Sequence, residues 1–241
     1  MTSFALKIIA MASMLVDHFA YSFHGLLVWD SFEVMRSVGR LAFPIFAYMA
    51  GEGFRHTRDV RKYLVRLGAF ALISEVPFDL LFRNSGRMVA LGSDGLVLVF
   101  FELSSQNVFF TIFLGIAAAY LYKLGRDRPL FLIAIPIPIL LGGLMNTDFG
   151  SIGVAMVFAC AAITGRIVRL GTVLLGGVVL FWPFMVLADP SFGIMLMTFH
   201  CIAVGLLLMY NGKRGRKARW TFYLFYPAHL LALFGLLWIM T

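Results

Sequence analysis

Apolar residues run along this chain in long blocks separated by short polar connections, and each block approaches the length of a membrane-crossing helix. About 20 mostly apolar residues are needed to span the hydrocarbon core. Runs of this kind fall near 4–23, 38–54, 62–82, 106–123, 129–145, 150–168, 172–188, 191–210 and 221–240. The pattern predicts an all-α polytopic membrane bundle of about nine spans, forming one domain over residues 1–241. Pro136 and Pro138 predict a distorted fifth span, because proline removes a backbone donor and crowds the preceding turn. The longest connection, 84–105, holds an apolar patch at 96–101. It is too short to span and is expected to be a re-entrant segment, an interfacial segment or a lid.

The basic residues orient this map. Arg55, Arg58, Arg61 and Lys62 share one connection, Lys123, Arg126 and Arg128 another, Arg166 and Arg169 a third, and Lys213, Arg214, Arg216, Lys217 and Arg219 a fourth. These are alternate connections, and the intervening ones hold only Arg36, Arg83 and Arg87. The positive-inside rule then predicts a cytoplasmic N-terminus and a C-terminus outside. The first run continues past Asp17 and His18 with no cleavage site and is read as a span.

Composition agrees. The chain is 61% hydrophobic and 13% charged, against about 45–50% and about 25% for soluble domains, and its mean hydropathy is +0.91. A soluble enzyme, a disordered chain and a secreted disulfide scaffold are excluded. The net charge of +8 would point to nucleic acid in a soluble protein; here it is topological, and no nucleic-acid partner is expected. Cys160 and Cys201 sit inside apolar runs and behave as small hydrophobes. No Cys/His spacing resembles a metal site, and no Gly-rich phosphate loop occurs.

Polar groups at membrane depth are costly and mark function. They are Lys7, Asp17, His18, Arg40, Glu52, Glu75, Asp79, Asn107, Asp148, His200 and His229. Most converge on the outer half of the bundle. Glu52 lies near the inner end of the second span, and His200 and His229 fall near mid-membrane. Lys7 and His18 are three helical turns and about 16 Å apart on one stripe. A ligand with an anionic head and a thin reactive arm, such as acyl-coenzyme A, suits that stripe. A snorkelling lysine and a histidine bonded inside the bundle fit it as well. Asp17 points about 100° away from His18 and is expected to pair with Arg40 or another polar group. Glu75 and Asp79 share a helix face around Pro77. They could form a proton site, a cation site or the partners of Arg36 and Arg40. Asp148 has the position of a helix N-cap. On the residues alone, a proton-coupled transporter or a non-catalytic membrane assembly factor also fits.

Several segments resemble the TraX family. They are Leu6-Lys7-Ile8-Ile9-Ala10 leading to Leu15-Val16-Asp17-His18; Gly39-Arg40-Leu41-Ala42-Phe43-Pro44-Ile45-Phe46-Ala47-Tyr48; Glu52-Gly53-Phe54-Arg55-His56-Thr57-Arg58; Ile73-Ser74-Glu75-Val76-Pro77-Phe78-Asp79-Leu80; Asn107-Val108-Phe109-Phe110-Thr111; and Phe225-Tyr226-Pro227-Ala228-His229-Leu230. The likeness runs in order over nearly the whole chain and is weakest over 128–220. That family is named for an acetylase of the conjugative F-type pilin N-terminus. More distantly it resembles the acyltransferase-3 proteins, whose first span carries Arg, ten residues, then His. Lys7 and His18 stand at those positions, the lysine keeping the charge without the fork.

The resemblance implies a transmembrane acetyltransferase of the bacterial inner membrane. Acetyl-CoA is then the donor, and the acceptor is an amine or hydroxyl at the outer side, on a pilin, an envelope glycan or a lipid. His18 is implied as general base or acyl relay; a nearby carboxylate, Asp17 or Glu75, is expected to tune it. Beside that resemblance, Lys7 and Arg40 are expected on the donor, Arg40 or Asn107 at the oxyanion, and Asn107, Asp79, Asp148 and His229 as substrate or oxyanion contacts, with no metal.

Overall fold

The computed structural model describes residues 1–90 and 105–240, and all the regular elements among them are helices. The patch at 96–101 lies outside the described residues. In chain order the helices are α1 (Ser3–Ser22), α2 (Trp29–Gly39), α3 (Ala42–His56), α4 (Val60–Ala90), α5 (Val108–Gly125), α6 (Leu130–Ile133), α7 (Pro136–Leu144), α8 (Gly150–Ala162), α9 (Arg166–Leu175), α10 (Pro183–Ala188), α11 (Pro190–Leu208) and α12 (Arg219–Met240). A π-helical stretch, Gly176–Phe181, joins α9 to α10. Five helical stretches among the described residues are long and apolar enough to cross a membrane: Ser3–Ser22, Val108–Gly125, Arg166–Ala188, Pro190–Leu208 and Trp220–Met240. The protein is an all-α polytopic membrane protein.

The remaining apolar runs depart from uniform spans for local reasons. The run at 38–54 splits at Arg40-Leu41, giving a 15-residue α3. Pro44 sits in its first turn, where the missing N–H costs no ladder bond. The residues before it, expected as a connection, form the amphipathic α2, which carries Asp30, Glu33 and Arg36. The run at 62–82 lies inside the 31-residue α4, which accommodates Pro77. The fifth run breaks where its prolines predicted, with Pro136 opening α7. The run at 150–168 ends early, because Ile163 and Gly165 turn extended before α9 starts.

Small residues set the central packing. A Cβ on Gly51 would lie 2.5 Å from the Cys160 carbonyl oxygen, and one on Gly115 would lie 2.5 Å from Val157 Cβ. Glycine at these positions lets α3, α5 and α8 approach at backbone distance, the usual device where no water drives helices together.

The two ends of the bundle differ in charge. Thr2 caps α1, and two of that helix's otherwise unpaired amides, on Ser3 and Phe4, donate to the Lys213 and Arg214 carbonyls at 2.9 and 3.1 Å. All helices leave such donors, and here the α11–α12 loop satisfies them. Asn211 N–H donates back to the Met1 carbonyl at 2.9 Å. Arg55 donates to the Ile163 carbonyl and Arg166 to that of Leu208, both at 2.6 Å. The basic connections around 55–58, 163–166 and 209–218 are therefore drawn together with the N-terminus. At the opposite end a short parallel bridge pairs Gln106 with Thr147, and the Asp148 N–H donates to the Gln106 carbonyl at 3.0 Å.

Candidate functional site

Two cavities open along α1. The larger, of about 660 Å³, lies toward the basic end. Lys7, Arg58, Arg66, Arg214 and Arg216 line it, with Tyr63, Tyr223 and Tyr226 deeper in. The bonds from Ser3 and Phe4 to the 213–214 carbonyls hold the Arg214 segment beside Lys7. Lys7 Nζ itself rests 5.0 Å from the Phe222 ring centre. The smaller cavity, of about 210 Å³, lies toward the other end and is lined by Asp17, His18, Tyr21, Arg36, Arg40 and Asp148 among aromatic rings. Met14, Phe46 and Val108 line both, so these three side chains form the partition. Along α1 the order is Lys7, Met14, His18: cationic mouth, partition, imidazole.

His18 is buried, and its neighbours include another imidazole. His18 Nδ1 lies 2.8 Å from His229 Nε2, and the two rings stack at 14° with centres 5.0 Å apart. Phe82 meets the His18 ring edge-on at 5.0 Å. The tuning carboxylate expected from Asp17 or Glu75 is thus not the Nδ1 partner; His229, from the far end of the sequence, is. Asp17 points away as its helical angle predicted. Its two oxygens are taken by Arg40 and by Arg36, the latter at 2.7 Å. Arg40 also donates to the Arg36 carbonyl at 3.0 Å and lies 5.6 Å from the centre of the Trp182 ring. Arg40, expected beside Lys7 on the donor, instead lines the smaller cavity on the far side of the partition. A Cβ on Gly39 would come within 2.3 Å of Asp17 Cβ, so glycine there is what admits the carboxylate between the two arginines.

Asn107, Glu75 and Asp79 are fully buried and line neither cavity. The Asn107 side-chain oxygen caps α5 by accepting from Phe109 N–H at 3.0 Å. Its amide donates to the Ala71 carbonyl at 2.8 Å and to Glu75. Both amide hydrogens are committed, so Asn107 ties α4 to α5 rather than offering an oxyanion donor. Arg36 and Arg40, candidate partners for Glu75 and Asp79, pair with Asp17 instead.

Asp148 is not an N-cap. The cap position of α8 is Phe149, with no side-chain bond, and the bridge to Gln106 holds Asp148 at the smaller cavity. Its side chain is open to that cavity while the surrounding protein reduces its hydration. This partial loss of hydration raises its pKa to about 6, with Arg40 pulling against the shift, Asp17 adding to it and Arg36 opposing it. It therefore changes charge near neutrality.

Of the other polar candidates, Glu52 also lines the larger cavity, and both it and His200 are tied to neighbouring groups. Glu52 pairs with the buried Arg169, whose guanidinium lies 4.7 Å from the centre of the Tyr48 ring. His200 bonds the Val173 carbonyl at 2.9 Å. Its ring fills the space over Gly177, where a Cβ would lie 2.2 Å from Nε2.

Sequence reasoning treated Arg58, Arg66, Arg214 and Arg216 as topology signals or passed over them, and read Arg36 only as a connection charge or a carboxylate partner. Only the folded chain brings them to a cavity. The closeness of the 211–220 connection to Lys7 across the N-terminus carries no sequence signal.

No solved structure matches the chain. A probable fimbrial assembly protein FimC, serogroup H1, of Dichelobacter nodosus is 32% identical over 243 residues, covering 96% of this chain and 94% of that protein. The family described as TraX protein matches residues 3–237. The chain belongs to the TraX family.

Proposed function

We propose that this protein is a transmembrane acetyltransferase that takes acetyl-CoA at the basic end and delivers the acetyl group at His18 to an amine or hydroxyl of an envelope acceptor. The observation that carries this reading is the pair of cavities meeting at Met14, Phe46 and Val108. The mouth of the larger one offers five cationic side chains for phosphates, which cations bind strongly through charge-assisted bonds. Its inner wall is aromatic, suited to the flat base and thin arm of a coenzyme A ester. His18 stands just past the partition, where the arm's end would arrive. The TraX resemblance, with Lys7 and His18 spaced like the Arg and His of the acyltransferase-3 proteins, supports the same assignment. The relative in Dichelobacter nodosus, a probable fimbrial assembly protein, favours a fimbrial or pilus subunit as acceptor, presented at the outer side of the bacterial inner membrane.

His18 supplies the base. It takes the proton of the attacking amine or hydroxyl as the new bond to the acetyl carbon forms. The carbon–sulfur bond then breaks, and the same proton leaves His18 for the departing thiolate. Arg40, or the unused N–H groups of Arg36, stabilises the negative charge on the acetyl oxygen. Asp148 faces the acceptor. Lys7, Arg58, Arg66, Arg214 and Arg216 hold the donor's phosphates.

Sealed inside-out membrane vesicles test this. With labelled acetyl-CoA outside, vesicles carrying the protein and an acceptor pilin are expected to label the pilin, and vesicles lacking the protein are not. Equal labelling in both would contradict the proposal. Acetyl-CoA-independent proton flux through the protein would favour a carrier instead.

A further inference from the structure

We infer that His229 is the positioning residue for His18. Anchored on the Phe225 carbonyl, it fixes His18 in the tautomer whose Nε2 lone pair is free. Hydrogen-bond direction fixes this tautomer. His229 Nδ1 lies 2.8 Å from the Phe225 backbone oxygen. A carbonyl oxygen only accepts, so His229 Nδ1 carries the hydrogen. In a neutral ring the other nitrogen is then an acceptor, and that nitrogen, Nε2, lies 2.8 Å from His18 Nδ1. His18 Nδ1 must therefore donate, which leaves its Nε2 without a hydrogen. Which ring nitrogen is protonated is set by the bond the other one makes, and here a backbone carbonyl sets it through two rings in series.

The surroundings hold this chain rigid. Phe225 stacks on His229 at 4.5 Å and 7°, and Tyr226 meets it at 5.5 Å. His229 sits on α12 two residues after Pro227, and α12 packs along α1 and α4. His18 lines the smaller cavity, whereas His229 lines neither. His229 therefore touches no reacting atom and acts through His18. When His18 Nε2 takes a proton, the ring becomes an imidazolium whose Nδ1–H still donates to His229. The relay ends there, because the Phe225 carbonyl cannot take a proton. The proton stays at His18 until the thiolate collects it.

This inference rests on the acetyltransferase reading, and its first test does not depend on it. Nitrogen-15 NMR of protein labelled at histidine, with His18 assigned from a His18→Gln sample, reads the tautomer directly. The wild type is expected to show His18 hydrogen on Nδ1 and a bare Nε2, the reverse of the preference of free histidine. In His229→Phe, which keeps a ring and loses the acceptor, His18 is expected to move the hydrogen to Nε2. In transfer assays, His229→Phe is expected to lower kcat at least tenfold with the KM for acetyl-CoA unchanged. His229→Gln, whose carbonyl can accept from Nδ1, is expected to recover part of the loss. A wild-type His18 with its hydrogen on Nε2 overturns the inference, as does a His229→Phe protein with wild-type kcat. If His229→Phe does not fold, the wild-type spectrum and His229→Gln still decide. Absence of transfer by the wild type would refute the acetyltransferase reading and leave the tautomer result standing by itself.

Discussion

Replacing His18 by glutamine is expected to cut acetyl transfer by about 10²–10⁴-fold, the usual worth of a positioned base, while acetyl-CoA still binds. Glutamine is close to histidine in reach and keeps polar groups in the buried position, so the bundle keeps its shape. It cannot take a proton. The cationic mouth lies about three helical turns away on α1, beyond Met14, so donor affinity is expected to stay within a few-fold of wild type. The pairing of lost turnover with kept binding separates a chemical role from a structural one. Single-turnover transfer and equilibrium binding on the same preparation check it. Full transfer by the His18→Gln protein would remove His18 from the mechanism.

The second large effect is on stability. Asp17→Ala is expected to destabilise the protein by about 3–5 kcal/mol, because it leaves two largely buried guanidiniums without their shared anion. The side chains of Asp17, Arg36 and Arg40 are only 11%, 21% and 13% exposed, so water replaces little of the lost partner. The penalty belongs to the stranded charges, not to the missing carboxylate. Converting Arg36 and Arg40 to methionine in the Asp17→Ala background is therefore expected to recover much of the loss. Denaturation in detergent, followed by tryptophan fluorescence, measures both. Gly39→Ala acts on the same cluster by driving Asp17 off its two partners and is expected to destabilise in the same direction. An Asp17→Ala protein as stable as wild type would show that the arginines find other anions.

Much of the architecture was legible from residue order. The long apolar runs carried the helical membrane class, Pro136 marked the break before α7, and the angle between Asp17 and His18 on one helix foretold that they would face different partners. The ion pair of Asp17 with Arg40 followed from placing both at the outer ends of neighbouring runs. What could not be read depends on register between distant elements. His229 meets His18 across 211 positions, and no local pattern encodes that contact. The run beginning near 106 marked the start of α5 at Asn107, but that residue's amide hydrogens are spent on Glu75 and Ala71; that depends on how α4 lies against α5. The cations at 211–220 carry a topology signal strong enough to hide a second use. Only the bonds from the first turn of α1 to the Lys213 and Arg214 carbonyls bring them over a cavity. α2 was missed because its half-polar face does not resemble a span.

The most direct measurement is acetyl-CoA binding to the purified protein by calorimetry, for wild type and for Lys7→Ala and Arg214→Ala. The wild type is expected to bind saturably and more weakly as salt is raised, since phosphate contacts by cations that solvent reaches are screened. Each variant is expected to lose at least tenfold in affinity, about 1.4 kcal/mol. Absence of binding at millimolar acetyl-CoA, or binding untouched by either substitution, would contradict the assignment of the larger cavity to the donor.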